Sequence, residues 1–244
     1  MSIRYYPLVN RFINSLQSSD KSSVASKSSG SYFFDQPFIT VAREPGSGGA
    51  PIAKAVAKKI GFTFVDKQII EEIAKSVEKR KEVIRQIDEK DRGAMTDMIH
   101  SIFNKDYVSD IKYLTEMSKI VVAYAHKGNV VILGRGANFI TPMAKGLHVR
   151  ITAPYAVRVQ RAMDYEGFSK VRARKTISSV EKDRKAFIKQ YLKRDSDKVN
   201  AYDLTINTTH LSVNQSRDII IEAFCNKFSR FNRYSALFKK TVSP

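Results

Sequence analysis

Short apolar runs and longer amphipathic stretches alternate along the chain, and this alternation predicts strands separated by helices. Strand patterns occur at FITVA (38–42), FTFVD (62–66), NVVILG (129–134), LHVRITA (147–153) and AYDLTINTT (201–209). Helical patterns occur after the glycines at 46–49 and over 67–90, about 108–127, 155–194 and 213–229. Strands joined by helices are typical of parallel sheets, so the pattern predicts an α/β protein with a mainly parallel sheet.

The two ends of the chain lack the alternating strand and helix patterns of the middle. Residues 1–17 have the spacing of a short amphipathic helix, and the serine-rich segment 18–31 reads as a flexible linker. We therefore predict a flexible extension over 1–36 and a globular domain over 37–225. The remaining residues, 226–244, interleave aromatic and basic side chains and form a basic aromatic tail.

Charge is the most informative feature of the composition. The net charge is +18, and residues 145–198 contain fifteen Lys/Arg against six Asp/Glu. Such an excess is typical of proteins that bind nucleic acid, an anionic membrane surface or phosphorylated small molecules, and it also occurs on plain solvated surfaces. No apolar run reaches the roughly 18 residues of a membrane span. The single cysteine, Cys225, excludes an internal disulfide, and we expect a cytoplasmic location.

The first predicted strand runs into a glycine loop with an unusual composition. Gly46, Ser47, Gly48 and Gly49 lie between a strand and a helix, where backbone N–H groups can hold phosphate oxygens. The usual phosphate loop ends in Gly-Lys-Ser/Thr, whereas this chain has Ala50-Pro51 after its last glycine. From the loop alone, a tight turn without a ligand is an open alternative.

Several blocks in a fixed order add a family resemblance to this picture. They are AREPGSGG, IGFTFVDKQII, VVILGRGANFI, LHVRITAPYAVRVQRA, EKDR and AYDLTINTT. In this order they resemble the cytidylate kinase-like family, a branch of the P-loop nucleoside monophosphate kinases. The resemblance covers roughly residues 37–225. It implies a P-loop NTPase-like parallel sheet flanked by helices, with one helical insertion that binds the nucleoside monophosphate and a lid at about 155–200.

The resemblance implies transfer of the γ-phosphoryl group of ATP to a nucleoside monophosphate, with Mg²⁺ brought by ATP and no metal site of the protein's own. The matching positions for the ATP phosphates are Arg43, Gly46, Ser47, Gly48 and Gly49. Those for the acceptor are Asp66, Lys67 and Arg135. The lid positions are Arg161, Arg172 and Arg174, and the catalytic candidates are Arg158 and Arg184. Structural alternatives are an Arg43–Glu44 ion pair and an Asp66 helix cap.

The chain departs from the family pattern at three positions. Ala50 stands where the branch commonly has arginine, Gly136 follows Arg135 where classical cytidylate kinases have aspartate, and Glu181 replaces the usual lid aspartate. Loss of a cation aimed at developing charge lowers a phosphoryl-transfer rate. Two further hypotheses therefore stay open: a nucleotide-binding protein with little or no turnover, and a nucleic-acid-binding protein that uses the basic lid and tail.

Overall fold

The computed structural model describes Phe34 and residues 36–75, 82–84, 95, 99 and 111–229. Five strands form one sheet: β1 (Phe38–Arg43), β2 (Thr63–Val65), β3 (Val130–Leu133), β4 (Gly146–Thr152) and β5 (Leu204–Asn207). Their order is β2-β3-β1-β4-β5, and every neighbouring pair is parallel. The α/β prediction with a parallel sheet is confirmed.

Helices connect these strands. They are α1 (Gly49–Ile60), α2 (Lys67–Lys75), α3 (Ile111–Lys127), α4 (Ala137–Ile140), α5 (Tyr155–Glu166), α6 (Lys170–Leu192) and α7 (Val213–Lys227), with a 3₁₀ turn at Val199–Ala201. The predicted strand ends shift by one to three residues, because regular hydrogen bonding begins or stops inside an apolar run. The predicted start of the last strand at 201 falls in the 3₁₀ turn.

The central strand β1 explains why the sheet is covered on both faces. Its first four residues are buried, as expected for a parallel strand between two helical layers. Ile39 and Val41 pack with the apolar face of α1 and with α7, while Phe38 packs with α3 on the opposite face. The predicted α1 face of Ile52, Val56 and Ile60 is buried. That helix ends at Gly61, which has φ 72°.

The two helices between β4 and β5 occupy the stretch for which the resemblance predicts a lid. Helix α5 ends at Gly167, and α6 begins after Ser169, whose side chain accepts a hydrogen bond from the backbone N–H of Arg172. Between them Val159, Ala162, Ala173 and Ile177 form a small apolar core of their own. The lid helices are therefore joined by packing that is separate from the two main cores.

His148 lies buried in β4. Its Nδ1 is 2.6 Å from the hydroxyl of Thr40, and its Nε2 is 3.3 Å from the carbonyl oxygen of Pro142. Burial lowers the pKa of His148 from 6.5 to about 4, since a charged imidazole loses its hydration there. The neutral ring donates to Pro142 and accepts from Thr40, so both nitrogens have partners.

This burial predicts acid sensitivity. Between pH 6.5 and about 4 the unfolded His148 binds a proton that the folded one does not bind, so stability is lost as the pH falls through this window. We expect the free energy of unfolding to fall by about 2 kcal/mol more in the wild type than in His148→Gln between about pH 7 and pH 5. Urea denaturation at both pH values measures the free energy of unfolding. An equal loss of stability between the two pH values in both proteins would contradict the assignment.

Some sequence predictions fall outside the described residues. The extension over 1–36, apart from Phe34 and Gln36, and the tail beyond 229 are among them, as is much of the helical stretch predicted over 67–90. Within the described part of the chain, no helix combines the length and apolarity that crossing a bilayer requires.

Candidate active site

The glycine loop connects β1 to the first turn of α1. Gly46 and Gly48 have φ of 76° and 81°, a region that favours glycine. Among the described residues, none accepts a hydrogen bond from the N–H of Gly46, Gly48 or Gly49. Ser47 is different, because its N–H and its hydroxyl both donate to the carbonyl oxygen of Glu44, at 3.3 and 2.8 Å. Free N–H groups at a helix start can bind an anion.

Within the part of the chain that the structure describes, no lysine takes the place of the one that a usual phosphate loop has at position 50. Ala50 is exposed, and the ammonium of Lys54 lies 5.9 Å from the ring centre of Phe64. Arg158 contacts the loop, because its backbone packs on Gly46 and its Nη1 is 3.5 Å from the carbonyl oxygen of Pro45. Its guanidinium, however, is occupied by protein partners.

A cavity of about 430 Å³ opens beside the carboxyl ends of β1 and β3. Six cationic residues line it: Arg43, Lys67, Arg135 and Arg184, here called the cation cluster, and Arg150 and Lys185, which pair with carboxylates of the same wall. Open α/β sheets bind ligands at the carboxyl ends of their strands. The loop glycines are not among the lining residues, so this cavity and the loop are neighbouring parts of the site.

Repulsion between the cations of this cluster contributes to the lowered pKa values of Arg43 and Lys67. Burial, followed by the charges of Arg184 and Arg135, lowers the pKa of Arg43 to about 10. The charge of Arg135, followed by burial and by Arg184 and Arg43, lowers the pKa of Lys67. Burial also lowers the pKa of Arg135 and of Arg184. Like charges held together at a partly buried site are stabilised by a bound anion.

Arg135 is held in a strained conformation. Its φ is 56°, between Gly134 and Gly136, which also have positive φ. A non-glycine residue there costs of order 1–2 kcal/mol, and such strain is common at functional sites. Its Nη2 donates to Glu71, while its buried Nε has no partner among the described residues. The Nε–H is therefore buried without a partner in the described residues, which is unusual outside functional sites.

Asp66 caps the helix that follows β2. Its Oδ1 accepts hydrogen bonds from the backbone N–H groups of Gln68 and Ile69, at 3.0 and 3.2 Å. The structural alternative for this aspartate is therefore confirmed. The neighbouring Lys67 lies 3.7 Å from Glu71, an exposed pair that contributes little stability. The cap places Lys67 at the first position of α2, where it lines the cavity.

Arg43 does not form the expected ion pair with Glu44. Its side chain packs against Gly49 and ends beside Gly134, and Glu44 instead pairs with Arg150 and Arg158. Arg184 contacts Arg43, because its Nη1 donates a hydrogen bond to the carbonyl oxygen of Arg43 at 3.0 Å. Arg43 and Arg184 therefore reach the same side of the sheet edge.

Six alternating charges form a closed ring of ion pairs beside the cavity. The successive pairs are Arg158–Glu44 at 3.5 Å, Glu44–Arg150 at 3.2 Å, Arg150–Asp197 at 2.8 Å, Asp197–Lys185 at 2.9 Å, Lys185–Glu181 at 3.1 Å and Glu181–Arg158 at 2.8 Å. This charge ring joins the glycine loop, β4, α5, α6 and the segment before β5. A network of this kind fixes geometry better than isolated surface pairs.

The pKa shifts of Glu181 and Lys185 favour the charged forms of these two members of the charge ring. Burial acts to raise the pKa of Glu181, but hydrogen bonds from Arg158 and Lys185 outweigh it, so the pKa lies below its ordinary value. Hydrogen bonds to Asp197 and then Glu181 raise the pKa of Lys185. Both groups therefore stay charged near neutral pH. The charge ring holds α6 against the end of the sheet, with Arg184 facing the cavity.

The structure separates the predicted lid and catalytic arginines into two groups. Arg184 lines the cavity, whereas Arg158 is 6% exposed and bonded to Ala153, Glu44 and Glu181. Arg161 donates twice to Thr208, at 2.9 and 2.6 Å, and so ties α5 to the end of β5. The other two, Arg172 and Arg174, are exposed on α6 and do not line the cavity.

Sequence reasoning missed several residues of the site. Arg150, Lys185 and Asp197 of the charge ring were not predicted, nor were Phe187 and Tyr202 in the cavity wall. Glu44 and Arg150 lie 106 residues apart, so no local pattern connects them. One signal was available: Arg150 is a charged residue inside the otherwise apolar strand LHVRITA, and such a residue needs a partner.

A resident metal site is not evident in the described residues, which contain no group of three or more His, Cys, Asp or Glu side chains placed to hold an ion. The hydroxyl of Ser47 is buried and points into its own turn.

Comparison with known proteins identifies relatives of this chain. The model of the "Cytidylate kinase-like family" matches residues 38–210. A cytidylate kinase of Staphylothermus marinus is 29% identical over 192 residues, covering 78% of this chain and 97% of that protein. One of Methanocaldococcus jannaschii is 27% identical over 204 residues, covering 77% and 97%.

An uncharacterized protein from Eubacterium ventriosum, known from a crystal structure, has the same fold. It matches with a TM-score of 0.59 at 21% identity, covering 77% of this chain and 97% of that one. Since the family model spans more than half of the chain and the relatives match over nearly their whole length, this protein belongs to the cytidylate kinase-like family.

Proposed function

We propose that the protein is a nucleoside monophosphate kinase that transfers the γ-phosphoryl group of ATP to a monophosphate acceptor. The observation that carries this proposal is the convergence of Arg43, Lys67, Arg135 and Arg184 on one cavity at the edge of the sheet. Membership of the cytidylate kinase-like family supports the same role. A phosphate oxygen of the acceptor forms the new P–O bond, the bond between the β- and γ-phosphates breaks, and ADP leaves.

The chain divides the binding of the two nucleotides between neighbouring parts. Backbone N–H groups of Gly46, Gly48 and Gly49 hold the phosphates of ATP at the start of α1, with Ser47 shaping the turn. Arg135 and Lys67 bind the acceptor phosphate, and Asp66 positions Lys67 through its cap. The Mg²⁺ of this proposal arrives bound to ATP.

Arg43 and Arg184 lie between these two parts. Cations at this point stabilise negative charge on the group in transfer, which is the main task of a phosphoryl-transfer site. We assign Arg158 and Arg161 positioning roles, since their bonds orient α5 and α6. Arg172 and Arg174 stay with the lid as candidates for contact with ATP after closure.

A second candidate follows from Ala50. Because the loop lacks its usual cation and Lys54 is turned toward Phe64, a nucleotide-binding protein of low turnover on the same fold is the alternative. In that case the cavity and the loop bind nucleotides while the barrier to transfer stays high. Turnover separates the two candidates.

A coupled assay of ADP release tests the proposal, with ATP, Mg²⁺ and each common nucleoside monophosphate in turn. We expect turnover with at least one acceptor, and its loss in Arg135→Ala, which removes the acceptor contact. Arg217→Gln, a change at a half-buried arginine of α7 that pairs with Asp218 and does not line the cavity, is the control and keeps full activity. Nucleotide binding without turnover for any acceptor would favour the second candidate, and absence of both binding and turnover would exclude both.

A further inference from the structure

A second, larger groove lies next to the acceptor cavity. Its volume is about 1410 Å³, and it runs between the carboxyl end of α6 and the segment that leads into β5. Pockets for single small molecules usually measure about 300–1,000 Å³. The groove and the acceptor cavity share Phe139, Lys185 and Ser196 in their walls. It is therefore suited to an extended ligand and is continuous with the site already described.

The walls of this groove are strongly basic. Five cations line it, and a single carboxylate, Asp195, opposes them; the cations are Lys185, Lys189, Lys193, Arg194 and Lys198. Lys189, Lys193 and Lys198 are exposed and form no ion pair with any residue that the structure describes. These three, the groove lysines, leave positive charge without a partner along one wall.

Lys193 gives an independent indication of function. It ends α6 with a φ of 51°, in a conformation that glycine normally supplies at a helix end. A side chain at such a position is less favourable than glycine. A lysine kept there places a charge at the rim of the groove, at the negative end of the α6 dipole.

We propose that this groove binds the backbone of single-stranded nucleic acid. The groove lysines supply contacts to successive phosphates, and the amides of Gln190 and Asn200 line the same groove and offer donors and acceptors to unpaired base edges. In a duplex those edges are already paired, so a single strand fits better. Phe139, at the junction with the acceptor cavity, provides one ring for stacking. This binding is separate from kinase turnover.

Fluorescence anisotropy with a labelled oligouridylate of about twelve nucleotides tests the proposal on the full-length chain. Three phosphate contacts predict a slope of about −2 for log affinity against log salt, or about 20-fold weaker binding at 200 mM than at 50 mM salt. Changing the groove lysines together to glutamine weakens binding at least about 10-fold and flattens the slope.

The matched control changes Lys58, Lys170 and Lys175 to glutamine, which removes the same charge from exposed positions outside the groove. This control keeps wild-type affinity, and both triple variants keep the kinase turnover of the wild type. Equal affinity of the two triple variants, or no binding at 50 mM salt, would overturn the proposal. Preference for anionic vesicles, for duplex, or for inorganic tripolyphosphate at equal phosphate concentration would overturn it as well.

Discussion

Arg184→Gln is expected to lower kcat by about 10²- to 10³-fold while the KM values for both nucleotides change little. The expectation follows from the place of Arg184 between the glycine loop and the acceptor cavity, where a cation acts on charge that develops during transfer. A group that acts mainly in the transition state changes kcat more than KM. Steady-state kinetics with ATP and the preferred acceptor measure the effect.

Stability separates this role from a structural one. Arg184 donates one hydrogen bond, to the carbonyl oxygen of Arg43, and it also repels Arg43. The loss of the bond and the relief of repulsion offset each other, so the free energy of unfolding changes by less than about 1 kcal/mol. The control Arg217→Gln leaves kcat unchanged. If Arg184→Gln unfolds the protein or retains wild-type kcat, the catalytic assignment is wrong.

Gly46→Ala is expected to abolish measurable ATP binding, with an affinity at least about 100-fold weaker. Gly46 has φ 76°, so alanine adds backbone strain of order 1–2 kcal/mol. In addition, its Cβ would lie 2.8 Å from the carbonyl oxygen of Arg158, and a backbone atom cannot move aside cheaply. The loop must therefore shift away from α5, and the N–H groups that hold the ATP phosphates shift with it.

Gly61→Ala provides the matched control for this change. Gly61 has nearly the same φ, 72°, but a Cβ there meets no atom within 4 Å. It carries the strain alone, so stability falls by about 1 kcal/mol and ATP binding is unchanged. Calorimetric titration with a non-hydrolysable ATP analogue measures both variants. Equal ATP affinity in Gly46→Ala and the wild type would show that the loop does not bind the donor.

Most of the fold was accessible from the sequence because its signals are local. The apolar run at 129–134 and the glycine after α1 mark a strand and a helix end through period and backbone preference alone. The boundaries of β5 were less accurate: the 3₁₀ turn at 199–201 stands just before Tyr202, whose ring contacts Arg150 of the distant strand β4. Such contacts have no signature within a short window.

The site could be predicted only at positions where the residue type and its local context indicate a single role. Glycines after a strand, and an arginine inside the Gly-Arg-Gly turn, indicated an anion site before any coordinates. The charge ring was not predictable, because Glu44, Arg150 and Asp197 come from distant parts of the chain. Arg158 resembled a catalytic arginine in sequence, yet its bonds to Glu44 and Glu181 give it a positioning role in our proposal.

We propose that the glycine loop and the cation cluster hold the phosphates of two nucleotides without a lysine at position 50. Calorimetric titration of the wild type with both nucleotides is the direct test. We expect Mg²⁺ with a non-hydrolysable ATP analogue to bind one to one, and a nucleoside monophosphate to bind one to one beside it. Arg135→Ala should weaken only the monophosphate, and Gly46→Ala chiefly the ATP analogue. Failure of the wild type to bind either nucleotide would contradict the proposal.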